Sequence, residues 1–296
     1  MHEDVWRFVG HEVGAEELGL IREVVGRFGG LSRGELAETV CELLAWTRPT
    51  GRLKGRECRA FLERLDAAGV ITLPGKRIGR PVGSRTRVPV TARGEAQAEI
   101  AGTMRDILPI VIERVDAAAD RLLFRELVGR YHYLGHAVPF GAHLQYVVYA
   151  SQPQRRVVAC VQFSSAAWRM ASRDAWIGWD DATRATQLPL VVNNSRFLIL
   201  PWVRVRNLAS TVLSRVARQL AADWTARYGA TPVLLETLVD PARFDGASYR
   251  AANWIVVGDT TGGGRREQTR RREEWAPKRV LLYPLAKDAA RRLGGR

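Results

Sequence analysis

Three short stretches of this chain gather side chains able to do chemistry. Tyr131-His132-Tyr133-Leu134-Gly135 sets an imidazole between two phenols. Partly buried, such groups titrate or ligate, so His132 and Tyr133 are candidates for metal binding or proton transfer, with a purely structural histidine as the alternative. Leu234 to Val239 is an apolar run that delivers Asp240, with Tyr249, Asn253 and Trp254 further on. A carboxylate at a strand end followed by a phenol is where α/β sites collect polar groups; otherwise Asp240 caps a turn and Tyr249 belongs to the core. Asn193-Asn194-Ser195-Arg196 puts two amides, a hydroxyl and a guanidinium ahead of the apolar run Phe197 to Trp202. These groups can grip a base edge or a phosphate, or they can satisfy backbone groups where a strand begins.

Hydrophobic periodicity indicates which elements hold these stretches. Strands are expected over 108–115, 144–150, 156–164, 195–202, 232–239 and 254–259, and helices over 117–131 and 208–228. The first helix should turn Leu122, Leu123 and Leu127 inward, the second Val212, Leu213, Val216 and Leu220. An antiparallel pair, a strand, a long helix, a strand, a short helix and a final strand make an α+β layout with a partly open sheet. A doubly wound nucleotide fold is excluded: there is no Walker sequence, and Gly262-Gly263-Gly264 follows the last of these strands beside arginines, as a bend would. The arginine-rich stretch 265–272 fits a nucleic-acid-facing loop and a solvated loop equally.

The front of the chain reads differently. Helices are expected over 18–28, after an N-cap at Ser32 with Glu35 at capping-box spacing, and over 55–69 with Cys58, Phe61, Leu62 and Leu65 inward. A strand over 70–74 should follow. Three helices, a strand and a basic loop outline a winged helix-turn-helix-like domain over 1–80, joined by a basic linker over 81–105 to a mixed α/β domain over 106–296. Between Arg48 and Arg87 stand eleven basic side chains against Glu57, Glu63 and Asp66. Polyanion binding by counterion release needs such a concentration on one face. Lys54, Arg56 and Arg59 of the third helix, and Lys76, Arg77 and Arg80 of the wing, are therefore candidate nucleic-acid contacts, the alternative being a solvated basic face.

The 296 residues include 45 basic and 31 acidic side chains, a formal net charge of +14, with 46% hydrophobic and 26% charged residues. This globular composition excludes a disordered, collagen-like or fibrous chain. Apolar runs are too short to span a membrane, and Glu3, Asp4 and Arg7 precede any of them, so no secretory leader is expected and the cytoplasm is the expected location. Cys41, Cys58 and Cys160 are too few and too scattered for a disulfide framework or a zinc site, and read as small buried hydrophobes.

Taken in order, His132-Tyr133-Leu134-Gly135, Arg173-Asp174, Trp176-Ile177-Gly178-Trp179, Asn193 to Trp202, Asn207-Leu208-Ala209-Ser210, Asp223-Trp224, Leu234 to Asp240 and Gly246 to Trp254 resemble the DruA family of the Druantia anti-phage system. They equally resemble the DruA-like domain of transposase-related proteins. The resemblance runs over nearly the whole chain and implies a DNA-binding protein of phage defence or of a mobile element. Ala247-Ser248 departs from the family's usual Thr-Cys pair, so thiol chemistry is not expected there.

His132-Tyr133 and Asp240-Pro241, with Gly246, Tyr249, Ala251, Asn253 and Trp254, are also similar, in short islands, to the phage Mom DNA-modification proteins. That likeness implies a GNAT-like (acetyltransferase-like) domain that modifies or processes DNA. His132, Asp240 and Tyr249 would be metal ligands, to iron or zinc, or acid/base groups together with Tyr133. Asn193, Asn194, Arg196, Asn253 and Trp254 would meet the substrate, and Tyr133, Trp202 or Trp254 can pack against an unstacked base. Ordinary acetyltransferases cradle acyl-CoA in a glycine-rich turn that opens the long central helix. Here that turn reads Arg206-Asn207-Leu208-Ala209-Ser210-Thr211, which counts against acyl-CoA. Two alternatives stand beside the DNA-acting reading: a non-catalytic recognition subunit that recruits a helicase or transposase, and a small-molecule acyltransferase.

Overall fold

A computed structural model describes residues 6–28, 31–48, 53–75, 90–139, 141–260 and 276–295. The chain opens with a hairpin of β1 (Trp6–Phe8) and β2 (His11–Val13), followed by α1 (Ala15–Arg27), α2 (Arg33–Leu43) and α3 (Gly55–Ala67). α2 starts with the expected capping box: Ser32 Oγ accepts the Glu35 N–H, and the Glu35 carboxylate accepts the Ser32 N–H at 2.7 Å. α3 buries Cys58, Phe61, Leu62 and Leu65, and Phe61 meets Trp6, Phe8 and Trp46. The strand expected over 70–74 does not form. Its backbone groups find side chains instead, Leu73 N–H on Asp66 and Pro74 C=O on Arg33, so no strand partner is required. Lys76, Arg77 and Arg80 lie outside the described residues, as do Gly262-Gly263-Gly264 and the arginines of 265–272.

The rest of the chain runs β3 (Ile100–Gly102), β4 (Ile110–Arg114), α4 (Ala118–Tyr131), β5 (His143–Ala150), β6 (Arg156–Ser165), α5 (Ala171–Ile177), α6 (Asp181–Gln187), β7 (Val191–Ile199) and β8 (Val203–Val205). It continues through α7 (Leu208–Tyr228), β9 (Leu234–Val239), α8 (Ala247–Ala251), β10 (Ile255–Asp259), β11 (Arg279–Pro284) and α9 (Ala289–Gly294). Among the described residues seven strands form one sheet in the order β10-β11-β9-β7-β6-β5-β4, an α+β arrangement in which β7 and β9 pair in parallel and the other neighbours antiparallel. A parallel pair needs a crossover, and α7 supplies it. Its stripe of Val212, Leu213, Val216 and Leu220 is fully buried, as the periodicity requires. On α4 the buried stripe is Leu123, Phe124, Leu127 and Val128, whereas Leu122 is 44% exposed, a correction by one step around the helix. The three cysteines are free and buried. Among the described residues no helix is long and apolar enough to cross a membrane.

β7 and β9 pair only from Val191–Leu234 to Asn194–Thr237. β7 runs on to Ile199 and β9 to Val239, so beyond that register the strands part. A bulge helps to part them: Gln162 opposes Arg196 and Phe163 opposes Asn194, which leaves Ser195 as an extra residue that bends β7. Behind the split, the reverse face of the sheet holds a buried ionic network. Arg173 reaches Glu236 at 2.9 Å and Asp174 at 2.8 Å, and Asp174 also meets Arg184 at 3.4 Å and Trp179 Nε1 at 3.1 Å. Glu236 is the neighbour of Asn193, one register step before the strands separate. Burial pushes the Glu236 carboxyl up, and the Arg173 guanidinium works against that rise.

Candidate functional site

Where β7 and β9 part, a cavity of about 440 Å³ opens. Its walls are β7 from Asn194 to Ile199, β9 from Thr237 to Val239, Ala209 in the first turn of α7, the turn into α8 from Phe244 to Tyr249, and residues 131–134 after α4. Five expected site residues, His132, Tyr133, Asn194, Arg196 and Tyr249, come from three distant stretches of chain to line this one space.

The end of α4 explains how the imidazole is held. His132 leaves the helical region at φ −91°, ψ 132°, and the chain turns through Gly135 at φ 61°, a left-handed backbone that favours glycine. Gly135 N–H returns to the His132 carbonyl at 2.7 Å, and the Gly135 carbonyl accepts Arg196 Nε at 3.0 Å, which ties the turn to β7. Inside the turn, Leu134 N–H donates to His132 Nδ1 at 3.1 Å. A backbone N–H can only donate, so Nδ1 is unprotonated and the neutral ring carries its proton on Nε2. Burial first, and the nearby Arg196 cation second, lower the His132 pKa to about 4.

The ring of His132 stacks on Tyr133 at 4.8 Å and 27°. Tyr133 in turn meets Phe244 at 5.6 Å and carries the Arg243 guanidinium 5.1 Å over its ring. Tyr133 is 39% and Phe244 53% exposed, so an aromatic and cationic rim stands at the mouth of the cavity. Deeper in, Asn194 is 4% exposed and its Nδ2 donates to the carbonyls of Gln162 at 3.0 Å and Arg196 at 3.2 Å. With both amide protons committed, Oδ1 is the atom that faces Tyr249, and the phenol donates to it at 2.7 Å. Thr237 Oγ1 donates to the Asn194 carbonyl at 3.0 Å. Burial pushes the Tyr249 phenol up, so it keeps its proton at neutral pH.

Other expected residues do not reach the cavity. Asp240 caps the turn that carries the rim: its carboxylate accepts Ala242 N–H at 3.0 Å and pairs with Arg243 at 3.5 Å, while its carbonyl accepts the N–H groups of Arg243 and Phe244. Its charge is still felt at Tyr133, whose pKa rises through burial first and Asp240 second. Trp254 is core, 3% exposed between Tyr249 and Tyr283. Trp202 is likewise buried, edge-on to Tyr131 at 5.0 Å. Asn253 is exposed at φ 66° just after α8, a left-handed position that asparagine tolerates better than most residues. Asn193 sits in register with Glu236 and is not part of the cavity wall.

His132, Asp240 and Tyr249 do not fit a metal ion. Nδ1 of His132 is taken by Leu134, Asp240 is paired with Arg243, and Tyr249 spends its proton on Asn194. Among the described residues no group of three or more His, Cys, Asp or Glu is placed to hold one. On α3 the basic face is partly neutralised: Arg59 lies 3.6 Å from Glu63, Arg48 pairs with Glu57, and the Lys54 ammonium stands 5.9 Å from the Phe8 ring, while Arg56 is exposed. Phe244, Arg243 and Thr237 are site residues that sequence reasoning passed over. The one available signal was a phenylalanine in the polar turn Asp240 to Gly246, where an apolar ring has no core to enter.

The family described as Druantia protein DruA matches residues 82–271. No curated protein matches the chain at a significant level. Among solved structures, a spermidine N-acetyltransferase chimera from Vibrio cholerae and hSSAT is similar at 10% identity and a TM-score of 0.37, covering 63% of this chain and 99% of that one. An N-acetyltransferase from Staphylococcus aureus Mu50 is similar at 8% identity and a TM-score of 0.35, covering 59% and 97%. A GNAT superfamily phosphinothricin acetyltransferase from Sinorhizobium meliloti, in complex with AcCoA, is similar at 14% identity and a TM-score of 0.30, covering 49% and 62%. The family match takes in more than half of the chain and every wall of the cavity, and the chain belongs to the Druantia protein DruA family.

Proposed function

We propose that this protein acts in phage defence by binding DNA and taking an unpaired or extruded base into the cleft between β7 and β9. The observation that carries this reading is the composition of the cleft. Its rim offers the exposed rings of Phe244 and of Tyr133, the latter under the Arg243 cation, and its floor offers oriented polar groups on Asn194, Thr237 and Tyr249. Single-stranded nucleic acid is held by aromatic faces for the bases combined with positive charge for the backbone, and a net charge of +14 supplies the second. The reading routes no step through a metal, because His132 Nδ1, the Asp240 carboxylate and the Tyr249 proton each already bind a protein group. The test is binding to single-stranded oligonucleotides that contain 2-aminopurine. Fluorescence should change on saturation, and Tyr133→Ala or Phe244→Ala should remove that change. An unchanged signal on a saturated complex contradicts the reading. Digestion of the DNA and mass spectrometry of its nucleosides then separates chemistry on the base, which leaves a new nucleoside or strand breaks, from recognition that recruits a partner.

One observation favours a second reading, transfer of an acyl group. The strands part beside the first turn of α7, where Ala209 lines the same cavity, and a helix N-terminus with free N–H groups suits a phosphate. Acetyl-CoA should then raise the melting temperature; no shift at millimolar acetyl-CoA removes this reading.

A further inference from the structure

We propose that the cavity is a hydrogen-bonding template of fixed polarity, with His132 presenting a donor and Tyr249 an acceptor. Its ligand is then an edge that carries an acceptor beside a donor. This deepens the base-binding reading and rests on it for the identity of the ligand, since nucleobases present such amide- or amidine-like edges.

Each polarity is set by a neighbouring group whose own hydrogen bonding is fixed. Leu134 N–H occupies Nδ1 of His132, so the neutral imidazole offers only Nε2–H, and among the described residues Nε2 has no protein partner. This rules out His132 as a resting general base, because neither nitrogen has a lone pair to spare. Asn194 spends both amide protons on carbonyls, so its Oδ1 takes the Tyr249 proton; the Thr237 hydroxyl also stands within hydrogen-bond reach of the phenol, but its proton goes to the Asn194 carbonyl, which leaves the phenol oxygen to accept. Thr237 is oriented the same way by the Asn194 carbonyl. Both His132 and Tyr249 line the cavity; Asp245, the carboxylate of its wall, accepts Ala247 N–H, and Asp240, outside the wall, pairs with Arg243. A site that already holds its protons in place rejects an edge lacking the matching group, because a buried polar atom would be left without a partner.

Two measurements on the full-length protein test this. The first is the ¹⁵N spectrum of histidine-labelled protein, with His132 assigned by comparison with His132→Gln. The expected result is a neutral ring protonated at Nε2 from pH 7.5 down to about 5; an Nδ1–H tautomer, or an imidazolium at pH 7, overturns the donor assignment. The second compares single-stranded oligonucleotides carrying adenine or purine, and cytosine or pyrimidin-2-one, at one central position. Loss of the exocyclic amine should weaken binding by about tenfold for the base that is taken, and Tyr249→Phe should abolish that discrimination. Discrimination that survives Tyr249→Phe, or none in the unaltered protein, overturns the acceptor assignment. Failure to bind any of the oligonucleotides instead overturns the DNA reading, while the spectrum still decides the polarity.

Discussion

At the scale of single residues, the site depends on side chains kept neutral by their surroundings. His132 and His136 both have pKa values lowered from 6.5 to about 4, in each case chiefly by burial. The sign of the stability effect follows from where protons bind. In the unfolded chain both rings protonate as pH falls below 6.5, whereas in the fold they stay neutral to about 4. The unfolded state therefore binds more protons across that window, and stability falls as pH drops from 6.5 to 4, then levels off for these two groups. Urea midpoints measured across this range should show the slope, and His132→Gln combined with His136→Gln should flatten it. A slope that is unchanged in the double variant assigns the effect to other groups. The same scale shows how far residue chemistry was legible in sequence. The three polar stretches were visible because polar groups stand out beside apolar runs. Which of their side chains face inward was not, since the bulge at Ser195 breaks the alternation of β7, so that Asn194, Ser195 and Arg196 all line the cavity while Asn193 does not.

At the scale of elements, the cleft exists because β7 and β9 pair for four residues and then part, and the Arg173–Glu236 pair holds the sheet just before the split. Both side chains of that pair are fully buried. Removing one partner leaves a buried charge, so Arg173→Met should cost about 3–5 kcal/mol in urea unfolding. Arg173→Met with Glu236→Met should recover most of the loss, because Asp174 keeps Arg184. Equal losses for single and double variants would show that packing and not charge is at issue. Length decided which elements sequence revealed. The strands of the main sheet from β5 to β9 and the long helix α7 carry enough repeats for their period to be read. β1 and β2, at three residues each, do not, and β11 lies beyond the charged stretch 261–275, where the apolar pattern lapses.

At the scale of the whole molecule, two features have to act together: a net charge of +14, concentrated between Arg48 and Arg87, and a cleft with an aromatic mouth. If the charge holds the strand, affinity for single-stranded DNA should fall about tenfold or more between roughly 50 and 200 mM salt, with a slope near −0.7 for each phosphate contacted. A titration by fluorescence anisotropy reads this, and affinity indifferent to salt would remove the electrostatic part of the account. Tyr133→Ala should weaken binding without altering that slope, since a ring contacts a base and releases no counterion.

The most direct test of base capture is photocrosslinking of the full-length protein to single-stranded DNA containing 4-thiothymine, with the modified residues located by mass spectrometry. Cleft binding predicts adducts on Tyr133, Phe244 or the peptide between Pro241 and Tyr249. Crosslinks found on α3 and elsewhere, with none on the rim of the cleft, would contradict it.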